Sequence, residues 1–372
     1  MLCLPLWLAC TDEHIPASKH EVVEGERVEL RMSVAIQGMS VASRAFADEI
    51  QTDKPSLWVV VFDQDGYLVE WEKAKAITDD GNPVYEPSHE TEFSIELGAT
   101  SEPRILHFIA NYSDELELEY GHESNVIGSL VVDGNRDVYW HRKVLSEGIN
   151  ATSEYIAANF RRIPLLRNFA KITVGVADGV KFNLTGFYVL NVPTSGTVAP
   201  YSKGNFVNYA FDYDSELTKT YSELKEEVYF GTMPNGVEYG QDGSSISWKT
   251  GSFYMYENTY REVAEETTSI LIKGKFNNSN TETYYRADLS STELSTGFTE
   301  YYHILRNFEY HLTITNVVAD GKQSPEAAIK APANNNLSGS VVVKNLSNIS
   351  NGTAKLEVAI PIWYWSQQIR LL

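Results

Sequence analysis

Apolar and polar residues alternate with a period of two along most of this chain, a rhythm that suits β-sheet and excludes long amphipathic helices. Val28, Leu30, Met32, Val34 and Ile36 interleave with Glu29, Arg31, Ser33 and Ala35, which predicts a strand with one buried face. The run Leu57–Phe62 is apolar on both faces and reads as a central strand. It stops at Asp63-Gln64-Asp65-Gly66, a hairpin turn of the Asp-Gly kind, and resumes at Tyr67-Leu68-Val69. Further strands are expected over residues 92–97, 105–110, 125–132, 171–176, 182–190, 269–276, 282–289, 310–317 and 340–343. Residues 153–160 and 214–226 read as short helices. The 22 Tyr, 15 Phe and 7 Trp reinforce the preference for pleated sheet.

The 372 residues exceed one ordinary core and fit two domains. Short strands punctuated by Gly, Asn and Asp predict an all-β fold of two tandem antiparallel β-sandwich domains. The division is expected in the Pro/Ser/Gly-containing stretch 193–204, giving units over 45–200 and 201–372. A near-repeat is visible: Leu166-Arg167-Asn168-Phe169 and Leu305-Arg306-Asn307-Phe308 each lead into a predicted strand. It is either coincidence or an equivalent lead-in strand in each domain.

A net charge of −20 with no compact basic patch argues against nucleic-acid binding and against anionic membrane surfaces. Cys3 and Cys10 are the two cysteines, so neither a disulfide framework nor a Cys-ligated metal site is expected in the folded body. Elsewhere no apolar run reaches the about 18–20 residues that span a bilayer. Residues 1–10 are nearly all apolar and stop at Thr11-Asp12-Glu13. They look like the tail of a lipoprotein signal peptide, with Leu8-Ala9-Cys10 as processing site and Cys10 as the acylated residue, its translation start expected upstream of Met1.

Motifs of chemistry are missing. The sequence holds no HExxH, Walker loop, GxGxxG or GxSxG, and its eight histidines are dispersed without metal-ligand spacing. Asp63-Gln64-Asp65-Gly66 lacks the later ligands of a calcium loop. Paired acids such as Asp79-Asp80 and Glu265-Glu266 are ordinary in so acidic a chain. No enzyme and no cofactor are expected.

Several segments, taken in order, resemble the fimbrillin superfamily, the FimA/Mfa-type subunits of type V pili. They are Ser43-Arg44-Ala45-Phe46, Asp48-Glu49-Ile50, Val61-Phe62-Asp63-Gln64-Asp65-Gly66, and Ile105 to Asn111 with its Ala-Asn ending. Arg167-Asn168-Phe169-Ala170-Lys171-Ile172-Thr173-Val174, Phe187 to Pro193, Phe253 to Asn258 and Ile304 to Tyr310 complete the set. The resemblance implies transthyretin-like sandwiches and an assembly route. Such subunits reach the outer membrane as lipoproteins, held by lipid on Cys10 here. A trypsin-like protease then removes the first strand, and a strand from a neighbouring pilus subunit replaces it. Mapped onto this chain, the cut falls between Arg44 and Ala45, and residues 11–44 are the propeptide.

The residues lend this scheme physical support. Burying the five apolar side chains of 28–36 is worth about 8–15 kcal/mol as an upper bound, comparable with the stability of a whole domain. Leu356, Val358, Ile360, Ile362 and Tyr364 alternate over the same five steps near the other end and form a candidate donor strand, or else the last strand of the second domain. Pro361 lacks an N–H and suits an edge or inserted position. The ending is shorter than the stalk pattern, which fits a tip or accessory subunit. The alternative is a surface lipoprotein adhesin or glycan-binding protein that never polymerises. Trp71 and Trp140 are its candidate sugar platform, although they read better as packing.

Overall fold

In this computed structural model, the described residues are 22–36, 56–79, 82–83, 90–133, 136–202, 205–206, 236–239, 251–258, 267–292, 299–345, 349–350, 355–356 and 359–360. Strands dominate them, and the fold is all-β.

The first half forms β1 (Arg27–Ile36), β2 (Leu57–Phe62), β3 (Leu68–Ala76), β4 (Glu90–Gly98), β5 (Arg104–Ala110), β6 (Val131–Asp133), β7 (Tyr139–Leu145) and β8 (Ile163–Arg167). All but β6 close into a barrel in the order β1-β8-β7-β5-β2-β3-β4, with β4 returning to β1. The two-faced run Leu57–Phe62 is indeed central, between β3 and β5. Period-two geometry divides its side chains. Leu57, Val59 and Val61 point into the barrel, while Trp58, Val60 and Phe62 join a second apolar core outside it. The Asp-Gly turn is confirmed: Gly66 N–H donates to Asp63 O at 3.1 Å, and the Asp63 carboxylate accepts from Asp65 and Tyr67 N–H.

The outer core is completed by the second half. Its strands are β9 (Phe169–Val176), β10 (Phe182–Leu190), β11 (Ser195–Thr197), β12 (Gly236–Glu238), β13 (Ser252–Tyr256), β14 (Ser269–Phe276), β15 (Thr283–Asp288), β16 (Phe308–Val317), β17 (Leu337–Asn345) and β18 (Ala359–Ile360). They make a five-stranded sheet, β13-β9-β16-β17-β18, and a four-stranded sheet, β12-β10-β14-β15. Ile172, Leu312 and Ile314 of the first sheet share a core with Val189, Ile270 and Ile272 of the second.

Several features differ from the sequence expectation. Residues 125–132 are not one strand: a short helix α1 (Glu123–Val126) comes first, capped by the His122 ring, which accepts from Ser124 N–H. Only β6 follows in extended form, paired with β11. Helix α2 (Ser153–Asn159) matches the helix expected at 153–160 and is capped by Thr152. A third helix, α3 (Pro325–Ile329), capped by Ser324, was not anticipated. The helix expected at 214–226 lies outside the described residues.

The two Leu-Arg-Asn-Phe segments are not lead-ins to equivalent strands of separate domains. They open β9 and β16, which lie side by side and parallel in one sheet, Lys171 opposite Glu309 and Ile172 opposite Tyr310. Asn307 takes a left-handed turn (φ 61°), and its N–H donates to Phe169 O at 2.7 Å. Sheet membership changes from barrel to five-stranded sheet at Asn168, whose buried side chain accepts from Val138 N–H. That point precedes the 193–204 stretch. The latter runs along the seam, with Val198 N–H donating to Leu130 O.

Each of these segments buries an arginine against a distant acid. Arg167 meets Asp137 at 2.6 Å. Arg306, 1% exposed, meets the equally buried Glu257 at 2.7 Å and also donates to Val198 O and Thr197 Oγ1. Removing one partner strands a buried charge, which costs more than the pair itself is worth. Arg306→Met is therefore expected to lower the unfolding free energy by about 3–5 kcal/mol. Arg306→Met combined with Glu257→Met should recover a large part of that loss, as measured by urea denaturation.

Candidate functional site

The segment singled out by the sequence, residues 27–36, is β1, and its geometry is that of a strand held mainly from one side. It runs antiparallel to β4 over nine residue pairs, Arg27 opposite Gly98 through Ala35 opposite Glu90. On its other side β8 pairs with it, in parallel, only over Val34–Ile36. Two further ties act at that end: Ser33 N–H donates to Phe160 O, and Ser33 Oγ accepts from Arg162 N–H at 2.7 Å. At the opposite end Arg27 pairs with Glu70 and, at 2.8 Å, with Glu72. These ion pairs are exposed and contribute little.

Burial supplies most of the grip. Leu30, Met32 and Val34 are 0%, 3% and 6% exposed and sit in the barrel interior against Phe93, Ile95, Leu97, Phe108 and Leu165. Val28 is half-buried at the margin of this core. Ile36 lies opposite Leu165 in the ladder. Three fully buried side chains are worth about 5–9 kcal/mol as an upper bound.

Of the other predicted residues, Cys10, Arg44, Ala45, Val358, Ile362 and Tyr364 lie outside the described residues. Leu356 pairs with Ile349 in a two-residue ribbon, and Ile360 in β18 pairs with Val343 at the margin of the five-stranded sheet. Among the described residues, no helix is long and apolar enough to cross a membrane.

One buried polar cluster was not foreseen. His107 on the outer face of β5 is fully buried, and Trp140 Nε1–H donates to its Nδ1 at 3.1 Å. The ring proton therefore sits on Nε2, which donates to Glu123 Oε2 at 2.8 Å. Arg142 grips the same carboxylate with two bonds, 2.9 and 2.8 Å. Phe206 packs over the group, 4.8 Å from His107 and 5.7 Å from Trp140 between ring centres. Burial pushes the His107 pKa down to about 4. Burial resists ionisation of Glu123, yet hydrogen bonds from His107 and Arg142 hold its carboxyl at about 2. Both ring nitrogens of His107 are engaged, so this histidine holds no nitrogen ready for proton transfer. The cluster locks the Asn205–Phe206 segment onto the barrel. Its members come from four separate stretches of chain, and only the Trp140/Arg142 spacing on one strand face hinted at it.

Trp71 and Trp140 are packing residues rather than a platform. Trp140 is 4% exposed, and Trp71, half-buried against the outer core, donates its indole N–H to Leu116 O at 3.0 Å. A cavity of about 320 Å³ opens nearby, lined by Tyr112, Leu116, Leu130 and Arg136 among others.

Two outcomes follow from this geometry. Leu30→Ala is expected to cost about 2–5 kcal/mol in urea denaturation, whereas Glu29→Ala, on the exposed face of the same strand, should stay within about 0.5 kcal/mol. For His107 the folded pKa lies below the unfolded value, so the unfolded chain binds more protons between them. Stability is then complete above about pH 6.5 and falls toward pH 4, by on the order of 3 kcal/mol for this residue. His141, likewise pushed down to about 4 by burial, acts in the same direction. Denaturation midpoints at about pH 4.5 and about pH 7.5 should converge in His107→Gln, though not completely.

No protein-family model matches the chain. Over 323 residues, 83% of its length, it is 25% identical to the major fimbrium tip subunit FimE of Porphyromonas gingivalis, and it spans 51% of that relative. Among solved structures, a candidate cell adhesion protein of Parabacteroides distasonis shares the fold at a TM-score of 0.50 and 14% identity, over 86% of this chain and 99% of that one. The tip fimbrial protein Mfa3 of P. gingivalis with a C-terminal truncation aligns at 13% identity and a TM-score of 0.47, over 85% of this chain and 99% of that one. The ordered segments read from the sequence and the tip-subunit relative thus point the same way: the chain is similar to fimbrial subunits of the FimA/Mfa type.

Proposed function

We propose that this protein is a structural subunit of a cell-surface fimbria and that its functional act is the exchange of β1 for a strand of a neighbouring subunit. The carrying observation is that β1 fills the barrel core with Leu30, Met32 and Val34 while a full-length ladder holds it on one side only. Its loss would bare an apolar trough floored by Phe93, Ile95 and Leu165, flanked by the edges of β4 and β8. Such a trough invites strand addition. The connection from β1 to β2, residues 37–55, contains Arg44. Cleavage at Arg44–Ala45 by a trypsin-like protease would free β1 from everything that follows it.

The same reading includes a precursor held at the outer membrane by lipid on Cys10, and two domains that divide at the junction of β8 and β9. The donor is an extended segment of alternating apolar residues. In this chain Leu356, Val358, Ile360, Ile362 and Tyr364 have that pattern and are the candidate donor. The relative is a tip subunit twice the length of the aligned region, so tip, accessory and stalk positions are all compatible with this mechanism.

Limited trypsin digestion followed by N-terminal sequencing tests the proposal. The expected product starts at Ala45, lacks β1 and forms ladders that survive mild denaturant, whereas Arg44→Ala stays intact and monomeric. A digest that retains β1, or a product cut after Arg44 that remains monomeric at high concentration, would falsify strand exchange.

A further inference from the structure

We propose that Tyr67 and Tyr120 form a binding platform for a neutral saccharide at the β2–β3 end of the barrel. The two side chains are 45% and 78% exposed, and their rings are nearly parallel (14°) with centres 6.1 Å apart. The exposure of both side chains leaves aromatic surface open to solvent. Val69, the extra residue where the register between β2 and β3 shifts, is 50% exposed close by in the chain.

The platform is rigid although it lies at a loop. Tyr67 N–H donates to the Asp63 carboxylate at 2.8 Å, and Tyr67 O accepts from Asp63 N–H. Tyr67 also bridges to His122, whose ring stands edge-on to the Tyr67 ring at 5.6 Å. Leu68 N–H donates to Gly121 O, and Glu123 N–H to Gly66 O, which fastens the Tyr120 side to the turn. Gly66 has φ +85°, and a Cβ there would come within 2.5 Å of His122 Nε2, so the turn accepts no side chain at that point. Upstream of Tyr120 the strap 113–118 is tied down by indole N–H groups, from Trp58 to Ser113 O and from Trp71 to Leu116 O. The backbone on both sides is thus held, and a tyrosine side chain has only two rotatable bonds to order on binding, the property that makes it a common anchor in recognition surfaces.

The surroundings select the ligand class. Exposed Gln64, Asp65 and Glu119 adjoin the two rings in sequence and offer hydrogen-bond acceptors to hydroxyl groups. With a net charge of −20, phosphates, nucleic acids and acidic sugars are repelled. A neutral sugar combines a C–H face that packs on an aromatic ring with hydroxyls that satisfy carboxylates and amides. This inference stands apart from strand exchange, since β1 contributes nothing to the platform.

The test is saturation-transfer NMR on the full chain with N-acetyllactosamine, cellotetraose and maltotetraose as probes. Transfer to sugar C–H protons from at least one probe is expected, with an affinity on the order of 1 mM for a single shallow site. The signal should fall by about fivefold or more in Tyr120→Ala and in Tyr67→Ala and be kept in Tyr120→Trp. Because Tyr120 is so exposed, Tyr120→Ala should leave the unfolding midpoint unchanged, which separates lost binding from lost folding. No transfer from any probe, transfer unchanged in the Tyr67→Ala/Tyr120→Ala double variant, or binding only of a lysine-rich peptide would each overturn the proposal.

Discussion

Everything in this molecule is arranged around a strand that is apolar on both faces. Leu57, Val59 and Val61 demand an interior, which the barrel provides; Trp58, Val60 and Phe62 demand a second one, which the barrel cannot provide. A lone barrel would expose that second face as a large apolar patch. The outer core that covers it also contains side chains from both sheets of the second half, so the two halves are joined by burial rather than by a linker alone. The constraint propagates through β5, whose Leu106 and Phe108 face inward while Ile105 and Ile109 face outward.

Barrel closure is the weaker element of this design. A barrel abolishes exposed sheet edges only if its last seam is paired. Here that seam is β1 against β8, paired over three residues, while the rest of β1 depends on its ladder with β4 and on three deeply buried side chains. The interior is therefore well packed but has one component joined by a short seam. In the proposed exchange, an incoming extended segment of suitable alternation would keep the core chemistry, because such a groove reads hydrophobic spacing and backbone hydrogen bonds rather than a particular sequence.

How far the sequence disclosed this depends on the kind of signal. β1, β10, β14 and β16 were legible because each pairs a clean two-residue period, or an unbroken β-branched and aromatic run, with turn residues at its ends. β7 escaped notice because His141, Arg142 and Lys143 interrupt its apolar pattern; Arg142 is there to hold Glu123, a partner 19 residues away. β8 carries Pro164 and ends in a buried arginine, two features that argue against a strand when read locally. Residues 125–132 look β-like by composition, yet the His122 cap and Glu123 in the first turn start a helix there. The Leu-Arg-Asn-Phe repeat was visible, but its meaning was not. Composition cannot tell whether two similar strands lie in two domains or side by side. The tyrosine platform joins positions 67 and 120 through tertiary structure alone, and no local pattern marks it.

The buried polar groups lie where the strands leave one element for the next. Arg167 with Asp137 and Asn168 with Val138 sit at the step from barrel to sheet; Arg306 with Glu257 fixes the start of β16 against the 197–198 stretch; His107 with Glu123, Arg142 and Trp140 holds Phe206 to the outside of the barrel. Hydrophobic burial is non-directional and would tolerate several relative placements of the two halves. A buried ion pair or histidine adds little net stability over apolar packing, yet each wrong placement leaves a charge or donor unsatisfied at a cost of several kcal/mol. These clusters therefore act chiefly on register and orientation. None of them touches β1, whose hold is apolar contact and backbone pairing apart from Arg27 and Ser33 at its margins. Directional side-chain chemistry thus fixes the parts outside β1, and apolar burial with backbone pairing holds the one strand proposed to leave.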